Sequence, residues 1–481
     1  MQYHSTRGFS PEVDSAQAVL NGLAPDGGLY LPCALPAFSW EKCLGEDAQA
    51  MAEMILSAFL PDIPDMGTLV KKAYTGKFET EDLTPTVPAG DFYVLELFRG
   101  PTSAFKDVAL SMLPQLMTAA KTAKNDTKDI LILTATSGDT GKAALEGFKD
   151  VDGIRICVFY PHGGVSDVQR RQMVSQEGGN VTVCAVRGNF DDAQTGVKNI
   201  FTACRDKNLP VRLSSANSIN IGRLVPQITY YFKAYRDLLD AGKIQMGEAV
   251  NFSVPTGNFG DILAGYLAKM LGLPVGKLIC ASNANNVLTD FIRTGMYDRR
   301  RELHKTDSPS MDILVSSNLE RLLHLMSGDS ALVAGLMNQL NTQGYYQVPE
   351  ALLEEIQKQF WAGWCDDARG AETIAKVWKE NGYLCDTHTA SGWAVAEDYV
   401  NQTGDTRPMV VLSTASPYKF PAAVLAAIGQ TAKGDEFDQL EQLHAATCVP
   451  IPKNLAALRT KPELHKSVID KDKMLDFVLV L

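Results

Sequence analysis

The spacing of hydrophobic positions changes near residue 129 of this chain. Beyond it, short unbroken apolar runs alternate with segments in which apolar residues recur at helical spacing. Apolar runs of about four to eight residues are typical of strands covered on both faces, and helices between them indicate parallel βαβ units. A long helical segment at 222–241 is predicted to join the two halves of this series. The pattern predicts an α/β fold with strands at 129–136, 153–161, 180–187, 211–215, 249–255, 277–282 and 408–414.

Residues 1–95 do not follow this rhythm and are predicted to form an N-terminal unit of their own. The Pro-Asp-Gly-Gly run at 25–28 predicts a tight turn before a short extended segment, and residues 48–60 suit a helix. The proline-containing segments 62–65 and 84–88 are predicted loops. Because no catalytic combination of residues occurs here, we interpret the unit as a packing element or lid.

The composition argues against several classes of function. A net charge of −11 and a pI near 5.2 make nucleic acid a poor main partner. No run reaches the roughly 18 consecutive apolar residues of a membrane helix, and the first residues lack the apolar core of a signal peptide. The nine cysteines include no Cys-x-x-Cys pair, and the seven histidines lack metal-ligand spacing. We therefore expect a cytoplasmic protein with reduced cysteines, without a metal ion and without a membrane partner.

Lys106 is the first candidate for chemistry. It follows a Gly-Pro break and the hydroxyl residues Thr102 and Ser103, which are predicted to cap a helix that starts near Phe105. The N-terminus of a helix disfavours a cation, so this is an unusual place for a lysine. Its apolar neighbours lower the pKa of the amine, and the neutral amine is the form that makes a Schiff base. A surface lysine without a role is the alternative.

A glycine-rich turn at 134–143 (TATSGDTGKA) lies between a predicted strand and a helix, where free backbone N–H groups bind anions. The turn is close to a P-loop, but Thr136 stands where that motif has glycine. Ala143 stands where it has the serine or threonine that binds magnesium. A small substrate carboxylate or phosphate, held by Ser137 and Thr140, fits better than a nucleotide. A plain turn capped by its own aspartate is the alternative.

Two further loops follow predicted strands. The segment 255–261 (PTGNFGD) has two glycines that let the backbone close around a phosphate at a helix N-terminus, and it lacks the dinucleotide signature Gly-x-Gly-x-x-Gly. The segment 413–420 (STASPYKF) offers the hydroxyls of Thr414 and Ser416 to a ligand ring. A hydroxyl beside a pyridine nitrogen leaves that nitrogen unprotonated. A polar loop after an edge strand is the alternative for this segment.

A serine- and asparagine-rich segment, 214–223 (SSANSINIGR), precedes the long helix. Arg223 at the helix start, with Asn217 nearby, is a candidate phosphate clamp, because a guanidinium can bind a phosphate with two parallel hydrogen bonds. A solvated arginine at a helix start is the alternative.

Together these segments resemble one family. GPTSAFKD, TSGDTG, PTGNFGD and STASPYKF are similar to motifs of threonine synthases of the bacterial and fungal type, as are GLAPDGGLYLP at 22–32 and SANSINIGRLVPQITYYF at 215–232. The likeness covers residues 5 to about 420, with the motifs in the expected order. It implies a pyridoxal 5'-phosphate enzyme of the tryptophan-synthase-β fold type. That fold has two open, twisted, mainly parallel sheets flanked by helices, here with an added N-terminal α+β unit.

The resemblance also implies a domain division and a set of site residues. We expect an N-terminal unit at 1–95, a large cofactor-binding domain at 96–110 and 240–481, and a small substrate-loop domain at 111–239. By motif, Lys106 is the Schiff-base lysine. Thr414 faces the pyridine nitrogen, and the cofactor phosphate is held by Gly257, Asn258, Phe259, Gly260 and Asp261. The expected substrate-binding residues are Ser137, Gly138, Asp139, Thr140 and Gly141, with Lys142, Asn217 and Arg223 as candidates for the substrate phosphate.

The activity that the resemblance implies is conversion of O-phospho-L-homoserine to L-threonine and phosphate, a lyase reaction of threonine biosynthesis, by a monomer or homodimer. Lys106 is expected to move the Cα and Cβ protons, phosphate to leave from Cγ and water to add at Cβ. Arg99 departs from the family pattern, which has histidine there, and adds a cation near the site. The alternatives are a pyridoxal-phosphate phospho-lyase or dehydratase giving a 2-oxo acid, a P-loop kinase built on 134–143, and a silent binding protein.

Overall fold

The structure, a computed structural model, describes residues 1–136, 138–204 and 210–481. In chain order its strands are β1 (Gln2–Ser5), β2 (Val13–Asp14), β3 (Tyr30–Pro32), β4 (Thr86–Ala89), β5 (Phe92–Glu96), β6 (Asp129–Ala135), β7 (Ile154–Pro161), β8 (Val181–Arg187), β9 (Val211–Ser214), β10 (Val250–Pro255), β11 (Val275–Ser282), β12 (Met296–Asp298), β13 (Tyr345–Gln347), β14 (Phe360–Trp364), β15 (Met409–Ser413) and β16 (Ser467–Asp470).

The α-helices of the described residues lie between and around these strands. They are α1 (Ser15–Asn21), α2 (Trp40–Leu44), α3 (Ala48–Phe59), α4 (Met66–Tyr74), α5 (Lys106–Ala123), α6 (Asp139–Phe148), α7 (Asp167–Val174), α8 (Phe190–Cys204), α9 (Ile221–Leu224), α10 (Ile228–Asp240), α11 (Gly260–Met270), α12 (Val287–Thr294), α13 (Leu319–Ser327), α14 (Ser330–Gln343), α15 (Glu350–Gln359), α16 (Asp367–Asn381), α17 (Thr387–Thr403), α18 (Pro421–Ala427), α19 (Glu436–Thr447), α20 (Lys453–Ala456) and α21 (Met474–Leu479). Within the described ranges, none is long and apolar enough to span a membrane.

Two sheets carry the fold. The large sheet has the strand order β14-β11-β10-β15-β5-β4, and its neighbouring strands are parallel apart from the edge pair β4–β5. The small sheet has the order β16-β8-β7-β6-β9, with parallel neighbours throughout. A small antiparallel sheet, β2-β1-β3, packs with helices α1 to α4 at the N-terminus. The expected pair of mainly parallel sheets with an N-terminal α+β unit is confirmed.

The strands predicted from residue 129 onward are found, with ends that differ by at most two residues. The segment 84–88 was predicted to be a loop, and this is wrong, because β4 occupies much of it. Pro88 is compatible with a strand here since β4 lies at the edge of the large sheet, where one row of N–H groups is not needed. The predicted helix 222–241 is interrupted by a 3₁₀ turn at Val225–Gln227, where Pro226 lacks an N–H group.

Sheet membership refines the domain division. Strands β4 and β5 pair in the large sheet, and β16, near the C-terminus, pairs with β8 in the small sheet. The backbone N–H groups of Leu464 and His465 also donate to Val174 of the small-sheet domain. We therefore propose that the N-terminal unit ends before Thr86 and that the chain from about residue 463 belongs to the small domain.

Helix α5 lies at the centre of the molecule and is buried along most of its length. It packs against α6 at Gly147, where a Cβ atom would lie 2.0 Å from the carbonyl oxygen of Leu110. Only glycine allows the two helices to approach so closely. The helix that begins with Lys106 is thereby fixed against α6, the helix that follows β6 in the chain.

Candidate active site

The candidate site lies at the carboxyl edge of the large sheet. Strands β5, β15 and β10 are neighbours there and run parallel, so the segments that follow them meet at one edge. The backbone N–H of Leu97 donates to Ser413 (3.0 Å), and that of Phe105 donates to Thr414 (2.8 Å). The side chain of Thr414 is buried. Backbone hydrogen bonds therefore set the position of Lys106 relative to the segment that carries Thr414.

Lys106 is the first residue of α5, as predicted, but the predicted capping is wrong. Phe105 occupies the N-cap position and makes no side-chain capping bond. The hydroxyl and the N–H of Thr102 both donate to the carboxylate of Asp107, the N–H at 2.8 Å. Burial raises the pKa of Asp107 to about 6, against these hydrogen bonds. The turn before the helix is therefore closed by a carboxylate of the helix and not by a hydroxyl of the turn.

The amine of Lys106 is in an environment that favours its neutral form. Burial is the main cause that lowers its pKa, to about 8, and the nearby cations of Lys419 and Arg223 act in the same direction. The carboxylate of Asp139 opposes them. The amine lies 4.4 Å from the centre of the Phe105 ring. Because an ordinary lysine has a pKa of about 10.4, the neutral fraction of Lys106 at neutral pH is strongly enriched.

The loop after β10 has the conformation of an anion cradle. Phe259 adopts a left-handed backbone conformation with φ of 61°, and α11 begins at the next residue. A Cβ atom on Gly257 would lie 2.6 Å from the carbonyl oxygen of Ser310, so this position requires glycine. The loop therefore delivers its N–H groups to the N-terminus of α11, where partial positive charge attracts phosphate.

The carbonyl groups of this loop are held from the outside. The Ser316 hydroxyl donates to the carbonyl of Gly257 (2.8 Å), and the side-chain amide of Asn318 donates to that of Asn258 (3.0 Å). No described residue accepts a hydrogen bond from the N–H groups of positions 257–260. The loop is thus fixed without use of the donors that an anion needs.

Two consecutive tyrosines of α10 connect the lysine and the cradle. The Tyr230 hydroxyl donates to the carbonyl of Phe105 (2.6 Å). The Tyr231 hydroxyl bonds to both the carbonyl (2.8 Å) and the carboxyl group (3.1 Å) of Asp261. Burial raises the pKa of Asp261 to about 7, and its Oδ2 atom is buried without a partner among the described residues. Sequence reasoning missed both tyrosines, because nothing in a Tyr-Tyr pair of an amphipathic helix indicates such contacts.

The small-sheet loop after β6 faces the large sheet. Ser137, predicted to bind substrate, lies outside the described residues. The hydroxyl oxygen of Thr136 accepts from the N–H groups of Gly138 (3.0 Å) and Gly141 (2.9 Å). Two donors that were expected to meet a substrate anion are therefore bonded within the loop. Thr140 is half-buried at the start of α6.

Asp139 and Lys419 join the two sheets across the site. The buried ammonium of Lys419 lies 2.5 Å from Asp139 Oδ1, and Gln169 Nε2 donates to the same oxygen (3.0 Å). Burial alone would raise the pKa of Asp139, but Lys419 and Lys106 together hold it well below its usual range. Capping of α6 by Asp139 is wrong, since the N-cap is the preceding glycine. Lys419 lies in the segment STASPYKF, and nothing in that sequence predicts its contact with Asp139.

Arg223 is a buried cation without an acidic partner in the described part of the chain. Its Nη1 atom donates to the carbonyl of Ala216 (2.5 Å), and its Nε atom is buried with no partner there. Burial lowers the pKa of Arg223 to about 10. Since β9 lies beside β6, the segment with Asn217 lies beside the small-sheet loop. The alternative of a solvated arginine is wrong, and a buried guanidinium with a free donor is suited to an anion.

Two cations that were predicted to lie at or near the substrate form ion pairs with carboxylates of the protein. The ammonium of Lys142 binds Glu146 (3.1 Å) and the side chain of Gln176, so the loop lacks the free lysine of a P-loop. Arg99 pairs with Glu96 (2.6 Å) and Glu79 (3.0 Å). Arg99 therefore adds no free positive charge to the site.

Comparison with known families accounts for almost the whole chain. The model for pyridoxal-phosphate dependent enzymes matches residues 78–415. The models for the threonine synthase N terminus and for the threonine synthase C-terminal region match residues 2–74 and 389–474. The chain therefore belongs to the pyridoxal-phosphate-dependent enzymes. Within that class it is a member of the threonine synthase family, and the match extends well past residue 420.

Individual relatives agree with this assignment. Threonine synthase of Pseudomonas aeruginosa is 39% identical over 97% of this chain and 98% of its own length. The human protein threonine synthase-like 1 is 38% identical over 95% of this chain, and the chain spans 62% of that protein's length. The structure of pyridoxal-phosphate-bound threonine synthase from Brucella melitensis has a TM-score of 0.88 and 40% identity, with 99% of this chain and 98% of that chain covered. The yeast enzyme has a TM-score of 0.89 and 34% identity, with 100% and 98% covered.

Proposed function

We propose that this protein uses pyridoxal 5'-phosphate to convert O-phospho-L-homoserine and water to L-threonine and phosphate. The observation that carries the proposal is the meeting of three features, two from the carboxyl edge of the large sheet and one from the small-sheet side. These are the low-pKa amine of Lys106, a loop with free N–H groups at 257–260, and the buried guanidinium of Arg223, which has no acidic partner among the described residues. An enzyme that must hold a phosphorylated cofactor and also release phosphate needs two such anion sites.

The residues present fit the cofactor. Lys106 would attach it covalently, and the N–H groups of 257–260 would hold its phosphate at the N-terminus of α11. Thr414 would meet the pyridine nitrogen with a neutral hydroxyl, so that this nitrogen stays unprotonated. When bound, the cofactor supplies an electron sink that stabilises the negative charge left by removal of a proton from the substrate.

Lys106 is the residue that we propose for proton transfer. Its neutral Nζ atom would accept the proton from Cα of the substrate and pass it to the cofactor, so that the amine is neutral again when it accepts the proton from Cβ. The Cβ proton would go to Cγ after phosphate has left, and the first proton would return to Cα at the end of the reaction. A pKa of about 8 suits this task, because the amine gains and loses a proton near the working pH. Burial keeps the pKa of Lys106 low, and the positive charges of Lys419 and Arg223 add to this effect.

The small-sheet side is proposed to bind the substrate phosphate as it leaves from Cγ. The Nε atom of Arg223 is a buried donor that no described residue uses, and Asn217 and Thr140 lie on the neighbouring segments. We propose that the loop after β6 binds the substrate through Ser137, Gly138 and Asp139. A departing phosphate carries two negative charges, so a buried guanidinium lowers the energy of the transition state. Lys142 is not proposed for this group, because its ammonium is bound by Glu146 and Gln176.

The setting of the protein is also a proposal. We propose a cytoplasmic enzyme, a monomer or homodimer, that acts on a small molecule and has neither a membrane nor nucleic acid as a partner. The support is the acidic composition and the state of the cysteines. All nine are free thiols and seven of them are buried.

Identification of the organic product tests the proposed reaction. The purified protein with pyridoxal phosphate is incubated with O-phospho-L-homoserine, and products are identified by NMR with L-homoserine as the control substrate. We expect L-threonine and phosphate in equal amounts, and no reaction of L-homoserine. Formation of 2-oxobutyrate with phosphate would make the protein a lyase that lacks the water-addition step. Absence of phosphate release would refute the proposed substrate.

A further inference from the structure

A cleft lies beside the segment that leads into Lys106 and is lined in part by Pro101. It has a volume of about 180 Å³ and is bordered by α6, α7 and the C-terminal segment. We call it the α6–α7 cleft. Its lining includes neither Lys106 nor Arg223, and the residues that matter here are Lys142, Glu146, Gln172, Gln176, Asn454 and Lys461.

The charges of this cleft are mixed, with an excess of one cation. Lys142 pairs with Glu146 (3.1 Å), and Lys149 pairs with Glu177 (3.3 Å). Lys461 is exposed at the opening and forms no ion pair within the described chain. An anionic group of a ligand is therefore attracted to the Lys461 side, while the two glutamates disfavour a ligand that is only anionic.

Gln172 adds a buried acceptor that has no hydrogen-bond donor among the described residues. The residue is 1% exposed, and its Nε2 atom donates to the carbonyl of Thr102 at 3.4 Å. Its Oε1 atom is buried without a hydrogen bond from any described residue, and the side chain lines the cleft. A buried acceptor without a donor is costly, so this atom is suited to an N–H or O–H group of a ligand.

We propose that the α6–α7 cleft binds a small α-amino acid in its zwitterionic form. Lys461 meets the carboxylate, and the ammonium group donates to Gln172 Oε1 and to Glu146. Both the carboxylate and the ammonium group of the ligand are needed for binding. A simple anion would leave Gln172 without a donor, and a simple cation would leave Lys461 without a counterion. The cleft volume of about 180 Å³ is sufficient for an amino acid with a short side chain.

The position of the cleft connects such a ligand to the active site. Asn454 Nδ2 donates to the carbonyl of Pro101 (2.8 Å), and Gln172 contacts that of Thr102, which also accepts from Lys419 (3.3 Å). The backbone before Lys106 is thus held from both sides. A ligand that donates to Gln172 Oε1 fixes the side chain whose Nε2 atom donates to Thr102, and we expect it to alter turnover more than substrate affinity.

The test measures binding to a holoenzyme in which borohydride has fixed the cofactor to Lys106, so that amino acids cannot react there. Calorimetric titrations use glycine, L-serine and L-threonine, with acetate, methylamine and inorganic phosphate as partial ligands. We expect saturable binding of at least one amino acid and binding at least about tenfold weaker for acetate and methylamine, because each lacks one charged contact.

Variants locate the binding. Lys461→Met is expected to weaken it about tenfold or more, and Gln172→Leu to do the same, whereas the exposed neighbour Lys466→Met should leave it unchanged. Lys461 lies on the surface, so its variant should fold even where the buried Gln172 variant does not. Equal binding by wild type and Lys461→Met, binding of phosphate but of no amino acid, or no binding at all would overturn the proposal. None of these results bears on the reaction product.

Discussion

The two sides of the active site are built by different means. On the large-sheet side, the segments after β5 and β15 are joined by backbone hydrogen bonds, and the loop at 257–260 is held through its carbonyl groups. On the small-sheet side, Asp139 is held by the side chains of Lys419 and Gln169. Hydrogen bonds to backbone groups fix the path of the chain, whereas a bond between two side chains can exchange for a ligand. The cofactor side is therefore preformed, and the substrate side is able to respond to the substrate.

The largest effect on turnover is expected from a substitution on the preformed, large-sheet side. Lys106→Ala removes the proposed covalent attachment and proton carrier, so we expect turnover to fall at least about 10³-fold. The absorbance band of the covalently bound cofactor should also disappear. Lys121→Ala, at the other end of α5, serves as the control and should keep both properties. Substantial turnover by Lys106→Ala would remove this lysine from the mechanism.

The next effect concerns the ion pair that joins the two sides. Lys419→Met leaves the buried carboxylate of Asp139 without its cation, and we expect the free energy of unfolding to fall by about 3–5 kcal/mol. Denaturant titration measures it. The double variant Lys419→Met/Asp139→Leu should recover much of that loss, because no unpaired charge remains. A single variant as stable as wild type would show that the pair does not hold the sides together.

Arg223→Ala separates the functions of the two sides. We expect the KM for O-phospho-L-homoserine to rise about tenfold to a hundredfold, while the Kd for pyridoxal phosphate changes little. The reason is that Arg223 lies on the substrate side. Arg212→Ala is the control, since Arg212 pairs with Asp126 on a partly exposed surface. Equal losses in both constants would indicate a structural role for Arg223.

A smaller effect is expected in the pH dependence of cofactor capture. Only the neutral amine of Lys106 attacks, so the rate should rise with pH and level off above its pKa of about 8. Arg223→Ala removes a cation that lowers this pKa, and its profile should shift to higher pH. Stopped-flow mixing of the apoprotein with pyridoxal phosphate measures both profiles. A midpoint near 10 in wild type would contradict the proposed environment of Lys106.

The smallest effect is expected at Arg99. Its charge is balanced by Glu96 and Glu79, so Arg99→His should change the KM for the phosphorylated substrate by no more than about twofold. Steady-state kinetics check this. A larger change in KM would mean that Arg99 reaches the substrate when the site closes.

The sequence was most informative where the structure depends on local pattern. Unbroken apolar runs located β6 to β11 and β15, and motif spacing located Lys106 and the loop 257–260. Strand β14 was missed because its sequence, FWAGW, combines aromatic residues with glycine, and β16 was missed because it is exposed at a sheet edge.

Side-chain partners far apart in sequence could not be predicted. Lys419 and Asp139 are separated by 280 positions, and no local signal in either segment indicates their contact. The same holds for Tyr230 and Phe105. The family motifs placed Lys142 at the substrate phosphate and Arg99 near the site. Each is paired with a carboxylate three or four residues away, and each also has a partner that only the fold brings close: Gln176 for Lys142 and Glu79 for Arg99.

The place of β15 in the large sheet has a consequence for synthesis on the ribosome. Strand β15 lies between β10 and β5, yet it is the last strand of that sheet to be translated. Until it has left the exit tunnel, β5 and β10 have no common neighbour, and the nascent chain exposes two unpaired strand edges. Cofactor capture must therefore wait until the chain through Ser413 has been made, and the shorter nascent chain is exposed to edge-to-edge aggregation.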